Sequence, residues 1–404
     1  MVLKFLTLLF FFLIFGYYGL SASIIKVPAD YSTIDSALTA ASTEDTILVD
    51  RGTYFQNTLY INKKIVLASK FIISRDEADI KNTIIQAKST SPKQWIQLKA
   101  DSIHITGFEI KGNREHSLGI FVPYASVTHC RFIGGKDQLS FEGAGGYVAF
   151  CYFEGALDDA IDADESLSWT IEHCTIVDAG QDGMEVRLHD KSGNMTTHIF
   201  RYNRVIGSGE SGIQFINYPG HSQREFEVYG NIFEDCAGAA VSCMYYGKTE
   251  EDYKGSKMEE RAVIYSNTIV GCNYAVTGAP NLIILNNIIS GCKAKAIGAS
   301  VYITSQQDNS VIDYCDFYNN PVDYDASLHL GDNILNFDPE FANWGTFNLK
   351  ENSPCIDAGT VFYKWKDDTV INLKTKNFIG SAPDLGAIEY DPAQNIFDKD
   401  IVPR

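Results

Sequence analysis

The chain has 404 residues, of which 45% are hydrophobic and 12% aromatic, which excludes a disordered chain and suffices for a large core. Its formal net charge of -18 argues against a nucleic-acid partner, because phosphate binding needs a basic face, and suits a soluble exported protein with room for cation sites. No Pro-rich or low-complexity linker divides it, so one elongated unit is expected over residues 24–404.

Residues 1–23 stand apart. Lys4, the apolar run Phe5 to Leu20 and the small residues Ser21-Ala22-Ser23 have the three parts of a secretory signal peptide. A membrane anchor is the competing reading, since the run approaches the roughly 18 to 20 residues needed to span a bilayer. A secreted protein, extracellular or periplasmic and free of the membrane after cleavage, is expected. Next comes a helical pattern over about Ser32 to Ala41, with Ile34, Ala37, Leu38 and Ala41 on one face.

From Ile105 onward a short motif recurs: one polar or sulfur residue, then an apolar residue two places later. It reads Cys130-Arg-Phe, Cys151-Tyr-Phe, Cys174-Thr-Ile, Asn203-Arg-Val, Asn231-Ile-Phe, Asn267-Thr-Ile, Asn287-Ile-Ile and Cys315-Asp-Phe, at intervals of about 20 to 36 residues. One such repeat cannot bury its own apolar face, so stacked repeats must share a core. The pattern predicts an all-β fold, a single-stranded right-handed parallel β-helix running from about 45 to 335. Each turn is expected to hold a first strand (Val127 to Ile133, Val148 to Glu154, Trp169 to Val177), a Gly- or Cys-rich bend, and a second short strand (Gln138 to Glu142, Ala160 to Asp164, Gly183 to His189, Gly212 to Asn217). The four asparagines should hydrogen-bond their copies in the next turn. Most of the nine cysteines are explained as small buried groups, with a Cys272 to Cys292 disulfide an open alternative.

Aligning the second strands places the chemistry. Leu139, Ile161, Met184 and Ile213 form one inward column, and Phe141, Ala163, Val186 and Phe215 another. The outward columns read Asp137, Asp159, Asp182, Ser211; then Ser140, Asp162, Glu185, Gln214; then Glu142, Asp164, Arg187, Ile216. Turns about 4.8 Å apart bring these carboxylates into mutual repulsion, which a hard cation with several oxygen ligands relieves. Asp137, Asp159, Asp162 and Glu185 are therefore the expected metal ligands, with Ca²⁺ the expected ion. The competing reading has the acids splayed into water.

Beside the acids stand Arg187, His189 and Lys191, with Tyr218, His221 and Arg224 near in sequence or on the next turn. A cation next to a basic side chain suits β-elimination of a uronic acid polymer: positive charge offsets the substrate carboxylate while a Lys, Arg or His takes the proton alpha to it. An ion pair of Arg187 with Asp164 or Glu185 is the simpler alternative.

Two stretches carry a family resemblance. The opening Ile25-Lys-Val-Pro-Ala-Asp-Tyr-Ser-Thr-Ile-Asp-Ser-Ala-Leu and the closing Ser353-Pro-Cys-Ile-Asp-Ala-Gly and Ala382-Pro-Asp-Leu-Gly-Ala-Ile-Glu resemble the ends of bacterial secreted pectin lyase-like β-helix proteins. The resemblance implies an N-terminal cap over about 24–44, where the helix closes the core, and a closing segment over about 336–404. Asp158-Asp159-Ala-Ile-Asp162 resembles the Asp-Asp-x-x-Asp calcium motif of a β-helical pectate lyase family, with Asp137 as the further acid one turn earlier. Glu185-Val-Arg-Leu-His-Asp-Lys191-Ser is loosely similar to a strand of β-helical alginate and chondroitin lyases. These likenesses imply a monomeric polysaccharide lyase with an acidic polysaccharide substrate. Arg187, Lys191 and His189 would be catalytic, and Glu142, Asp164, Gln214, Tyr218, His221 and Arg224 would bind substrate. A β-helical glycoside hydrolase or epimerase using paired carboxylates such as Asp159, Asp162 and Glu185 is the alternative, as is a non-catalytic carbohydrate-binding surface.

Overall fold

The computed structural model describes residues 22–88, 94–112, 115–143, 145–164, 167–218, 220, 222–245, 247, 253–299, 309–374 and 378–393. Over these residues the chain winds as a right-handed parallel β-helix. The apolar run Phe5 to Leu20 and its signal-peptide reading lie outside them. No helix among the described residues is long and apolar enough to cross a membrane.

Each coil contributes three strands rather than the two expected. Ala125–Thr128, Arg131–Ile133 and Leu139–Phe141 belong to sheets A, B and C, and the next coils repeat the order. The expected first strand is broken in its middle by a residue in the left-handed region. His129, Phe150, His173, Tyr202, Ser266, Asn286 and Tyr314 all have φ near +50°, and Gly230 occupies the same corner. Between sheets A and B this corner is two residues long in successive coils, as in His129–Cys130, Phe150–Cys151, His173–Cys174 and Tyr202–Asn203. The connections from sheet C back to sheet A differ widely: Leu188 and Lys191 bound a short one, Met244 and Lys257 a long one. Tyr274–Leu285 bends through both faces as one strand, pairing in sheet C at its start and in sheet A at its end.

Three inward columns fill the coil. Sheet A supplies Val127, Val148, Ile171, Phe200, Val228, Ile264 and Ile284; sheet B supplies Phe132, Phe153, Ile176, Val205, Phe233 and Ile269; sheet C supplies Leu139, Ile161, Met184, Ile213 and Val241. All are buried in one continuous core, and each large apolar side chain removed from water contributes roughly 1.5–3 kcal/mol. The segments around Thr197 to Ile206 and Glu225 to Glu234 pair in parallel, as a β-helix requires.

The polar residue after each left-handed corner points into the coil. Asn203, Asn231, Asn267 and Asn287 form a closed ladder in which the Oδ1 of one accepts from the backbone N–H of its copy one coil before (2.8 to 3.0 Å). The Nδ2 of Asn203, Asn231 and Asn267 each donates to the next Oδ1 and to a backbone carbonyl, and that of Asn287 to the carbonyls of Ile264 and Leu285 and to Cys315 Sγ, so neutral groups satisfy one another at zero or near-zero exposure. Cys130, Cys151 and Cys174 continue the column. All nine cysteines are buried free thiols, so the Cys272 to Cys292 bond is not formed.

The helix spans Ile34–Ala40, with Thr33 Oγ1 accepting from the Ser36 backbone N–H and Ile34, Ala37 and Leu38 buried against the first coil. The strand Ile24–Val27 already pairs with Thr46–Val49, so the coil starts earlier than expected. The segment after Asn336 does not simply sit at the far end. It folds back along the outside, where Leu349, Cys355 and Leu385 pack on Ile288, and Ala387 donates to Thr268 Oγ1. An antiparallel hairpin, Phe362–Trp365 with Asp368–Asn372, lays Ile371 on Val263, Ile283 and Val311.

Candidate functional site

Sheet C holds the acids in the expected register. Leu139 stands opposite Ile161, Ile161 opposite Met184 and Met184 opposite Ile213, so Ser140, Asp162, Glu185 and Gln214 are aligned on the face turned away from the core. Two residues before each strand, the backbone N–H of Asp159 donates to Asp137 Oδ1 (3.3 Å), that of Asp182 to Asp159 Oδ1 (2.9 Å) and that of Ser211 to Asp182 Oδ1 (2.7 Å). Glu142, Asp164 and Arg187 stand at the strand ends.

These acids face away from the core, yet water does not reach them. Asp137, Asp159, Asp162, Asp182 and Glu185 are each no more than 5% exposed, which overturns the reading in which they splay into solvent. Their protonation follows. Burial, then the charges of Asp164, Glu185 and Asp137, raise Asp162 to about 8 despite Arg187. Burial raises Glu185 to about 7, against the opposing pull of Arg187. Burial and the neighbouring Glu185 push Asp159 well above the ordinary carboxylate range, and burial raises Asp137 as well.

Part of the compensation expected from a cation is built into the chain. Arg187 Nη1 lies 2.8 Å from Asp164 Oδ1 and 3.7 Å from Asp162 Oδ1, and its Nη2 lies 2.5 Å from Glu185 Oε1. The ion-pair reading of Arg187 therefore holds geometrically. Burial opposes its charge, but the three carboxylates keep the guanidinium protonated beyond its usual range. Lys136 does the same two coils earlier, 2.9 Å from Asp158 Oδ2 and 3.6 Å from Asp137 Oδ2.

The other expected residues are placed unevenly. Lys191 begins the sheet A strand Lys191–Arg201, off the acid face, where its Nζ donates to Leu167 O (2.9 Å) and Thr196 Oγ1 (2.8 Å). Burial and repulsion from Arg224 lower its pKa. His189 is half-buried and packs on the Tyr218 ring, centroids 4.2 Å apart. Arg224 is buried and donates to the Arg187 carbonyl at 3.0 Å, so it supports the acid strand rather than facing a ligand from solvent. Gln214 is buried in the second column. Glu142 accepts from Ser140 Oγ at 2.8 Å. His221 lies outside the described residues.

Two groupings could hold a cation. Asp137, Asp158 and Asp159 each bring a ligand oxygen within 4.8 Å of the others, and so do His116, Asp137 and Asp162 with one ligand atom apiece. Glu185, expected as a ligand, belongs to neither because its carboxylate is turned to Arg187. His116 is the residue that the sequence reading missed. Leu118 pairs with Leu139, so His116 stands opposite Asp137; carrying the register back one coil finds it.

Residues 71–233 match the family model for a right-handed beta helix region. No curated protein matches the chain by sequence. Among solved structures it is similar to pectate lyase Pel9A, with 13% identity and a TM-score of 0.59, covering 92% of this chain and 98% of that one. It is also similar to the PL6 family polysaccharide lyase Pedsa3628 from Pseudopedobacter saltans (12% identity, TM-score 0.51, 82% and 97% covered). A third likeness is to the PL6 family alginate lyase AlyGC (13%, 0.50, 82% and 56%). The expected pectate lyase-like parallel β-helix is thereby borne out as a fold.

Proposed function

We propose that the protein is an exported polysaccharide lyase that cleaves a uronic-acid-containing polymer by Ca²⁺-assisted β-elimination. The observation that carries this reading is the in-register stack of buried carboxylates, Asp137, Asp159, Asp162 and Glu185, whose neutral forms are favoured by burial and mutual repulsion. A buried, repelling set of this kind is costly unless a positive charge or a proton joins it. The oxygen-only group Asp137, Asp158 and Asp159 fits a hard cation, and the lyases among the similar folds favour the same chemistry. When bound, Ca²⁺ supplies positive charge to the uronate carboxylate as the adjacent carbon loses its proton.

The chain's own groups then divide the work. Arg187, fixed by Asp164 and Glu185 and partly open to solvent, holds permanent positive charge beside the column. Lys191 serves as the base once its Nζ leaves Leu167 O and Thr196 Oγ1 and swings toward the acid face, a role that its lowered pKa favours. Glu142, Asp164 and Tyr218 line the more exposed rim, where they contact sugar hydroxyls.

The test is to incubate purified protein with pectate, alginate, glucuronan, ulvan and chondroitin, with Ca²⁺ or with chelator, and to follow the ultraviolet absorbance of unsaturated ends. Product formed only with Ca²⁺ supports the lyase; no unsaturated product from any polymer sinks it. One observation favours a second reading. Asp162 near 8 and Glu185 near 7 are poised as general acids, which a metal-independent glycoside hydrolase uses. New reducing ends without unsaturation, formed in chelator, would select that reading.

A further inference from the structure

We propose that His116, Asp137 and Asp162 form a binding site for a first-row divalent transition metal, chemically distinct from the oxygen-only set beside it. The three residues come from successive coils of sheet C, and each is no more than 5% exposed. His116 Nε2 lies 3.5 Å from Asp137 Oδ2. Ligands about 2.0–2.2 Å from one metal stand roughly 3.0–3.5 Å apart, so this pair is already spaced to share an ion. The Asp162 ligand atom lies within 4.8 Å of the others and needs to close by about an ångström.

The free valences point the same way. Asp137 Oδ1 accepts from the Asp159 backbone N–H, and its Oδ2 stands between His116 Nε2 at 3.5 Å and Lys136 Nζ at 3.6 Å, within hydrogen-bond distance of neither. Asp162 Oδ1 is buried without a hydrogen-bond partner, the nearest cation being Arg187 Nη1 at 3.7 Å, and His116 Nδ1 also has none. Glu142 Oε1, fixed by Ser140 Oγ, stands 3.9 Å from His116 Nδ1. A carboxylate on that edge favours the proton on Nδ1 and leaves the Nε2 lone pair for a metal, the usual outer support of a ligating histidine. The neighbouring oxygen set is more fully engaged: Asp158 Oδ2 is paired with Lys136 and Asp159 Oδ1 holds the Asp182 N–H. One imidazole with two carboxylates suits Zn²⁺, Co²⁺ or Mn²⁺, whereas Ca²⁺ takes oxygen ligands.

The inference does not require that the protein act on a polysaccharide, and its test contains none. Chelator-stripped full-length protein is titrated with Co²⁺, Zn²⁺ and Ca²⁺ by calorimetry, with visible spectra recorded for Co²⁺. One Co²⁺ per chain with ligand-field bands, displaced by Zn²⁺, is expected. His116→Gln should weaken Zn²⁺ at least about tenfold, and Asp158→Asn should leave it within about twofold while weakening Ca²⁺. Far-ultraviolet circular dichroism checks that each variant folds; Asp162→Asn gives the same reading should His116→Gln not fold. Absence of Co²⁺ bands, or Zn²⁺ affinity unchanged in both His116→Gln and Asp162→Asn, overturns the site. A protein without lyase activity can still pass this test, and a Ca²⁺-dependent lyase can still fail it.

Discussion

Two polar columns run through this coil, and they use the same bond for opposite ends. In the asparagine ladder, Asn231 Oδ1 accepts from the Asn203 backbone N–H, and its Nδ2 satisfies Phe200 O and Asn267 Oδ1. In the acidic column, Asp159 Oδ1 likewise accepts from the backbone N–H of its copy, Asp182, across adjacent coils. An asparagine would make that bond equally well and remain neutral. Carboxylates at buried positions where an amide would serve are an expense that the fold does not require, and that separates a structural ladder from a candidate site.

The largest effect should come from exchanging the chemistry of the ladder. Asn231→Asp removes both Nδ2 donors and buries a charge, and should cost about 3–5 kcal/mol in denaturant unfolding. A loss below about 1 kcal/mol would show that the two columns are interchangeable. The reverse exchange, Asp162→Asn in chelator at pH 8, should stabilise the protein by about 1–3 kcal/mol, since it removes a carboxylate that burial disfavours. Destabilisation by that change would mean that Asp162 is a structural ion-pair partner of Arg187 and nothing more.

Acidity sharpens the contrast further. Asp162 and Glu185 have folded-state values of about 8 and about 7, above their unfolded values, so between pH 4 and 8 the folded chain holds protons that the unfolded chain has lost. Stability of the metal-free protein should therefore fall as pH rises through that window, measured by melting temperature, and fall less in Asp162→Asn. A flat profile in chelator would show that Arg187 already neutralises the column. The smallest effect belongs to a third column, aromatic and on the outside, where Phe150 stacks between His129 and His173 at 4.9 Å. Phe150→Ala should cost about 0.5–1.5 kcal/mol and leave metal binding and activity unchanged.

The sequence made the register of this molecule readable because period-2 alternation and the Asn/Cys repeat each fix a coil independently. Leu139, Ile161, Met184 and Ile213 needed only to be aligned. The break between sheets A and B was not readable, since His129, Phe150 and Tyr202 hold a backbone conformation for which glycine or asparagine is the usual mark. Burial of the acids was missed for a different reason: alternation tells which side of a strand a residue faces, not what later lies across it. Arg187 and Lys136 do so here. His116 escaped because its coil lacks the Asp-rich signature, although its place in the register was available.

The mostly two-residue corner between sheets A and B and the variable return from sheet C to sheet A also bear on how such a molecule can change. Most corners keep to two residues and the one long insertion, the helices Phe71–Ser74 and Glu77–Lys81 between Ser69 and Thr83, lies in a coil that precedes the acids, whereas the returns begin beside Glu142, Asp164 and Arg187 and already differ in length from coil to coil. Lengthening or exchanging a return would redraw the rim around the acids and leave their alignment intact. The coil therefore separates inheritance of a charged column from invention of what it recognises, and grafting a return from one coil onto another is a direct way to seek new specificity.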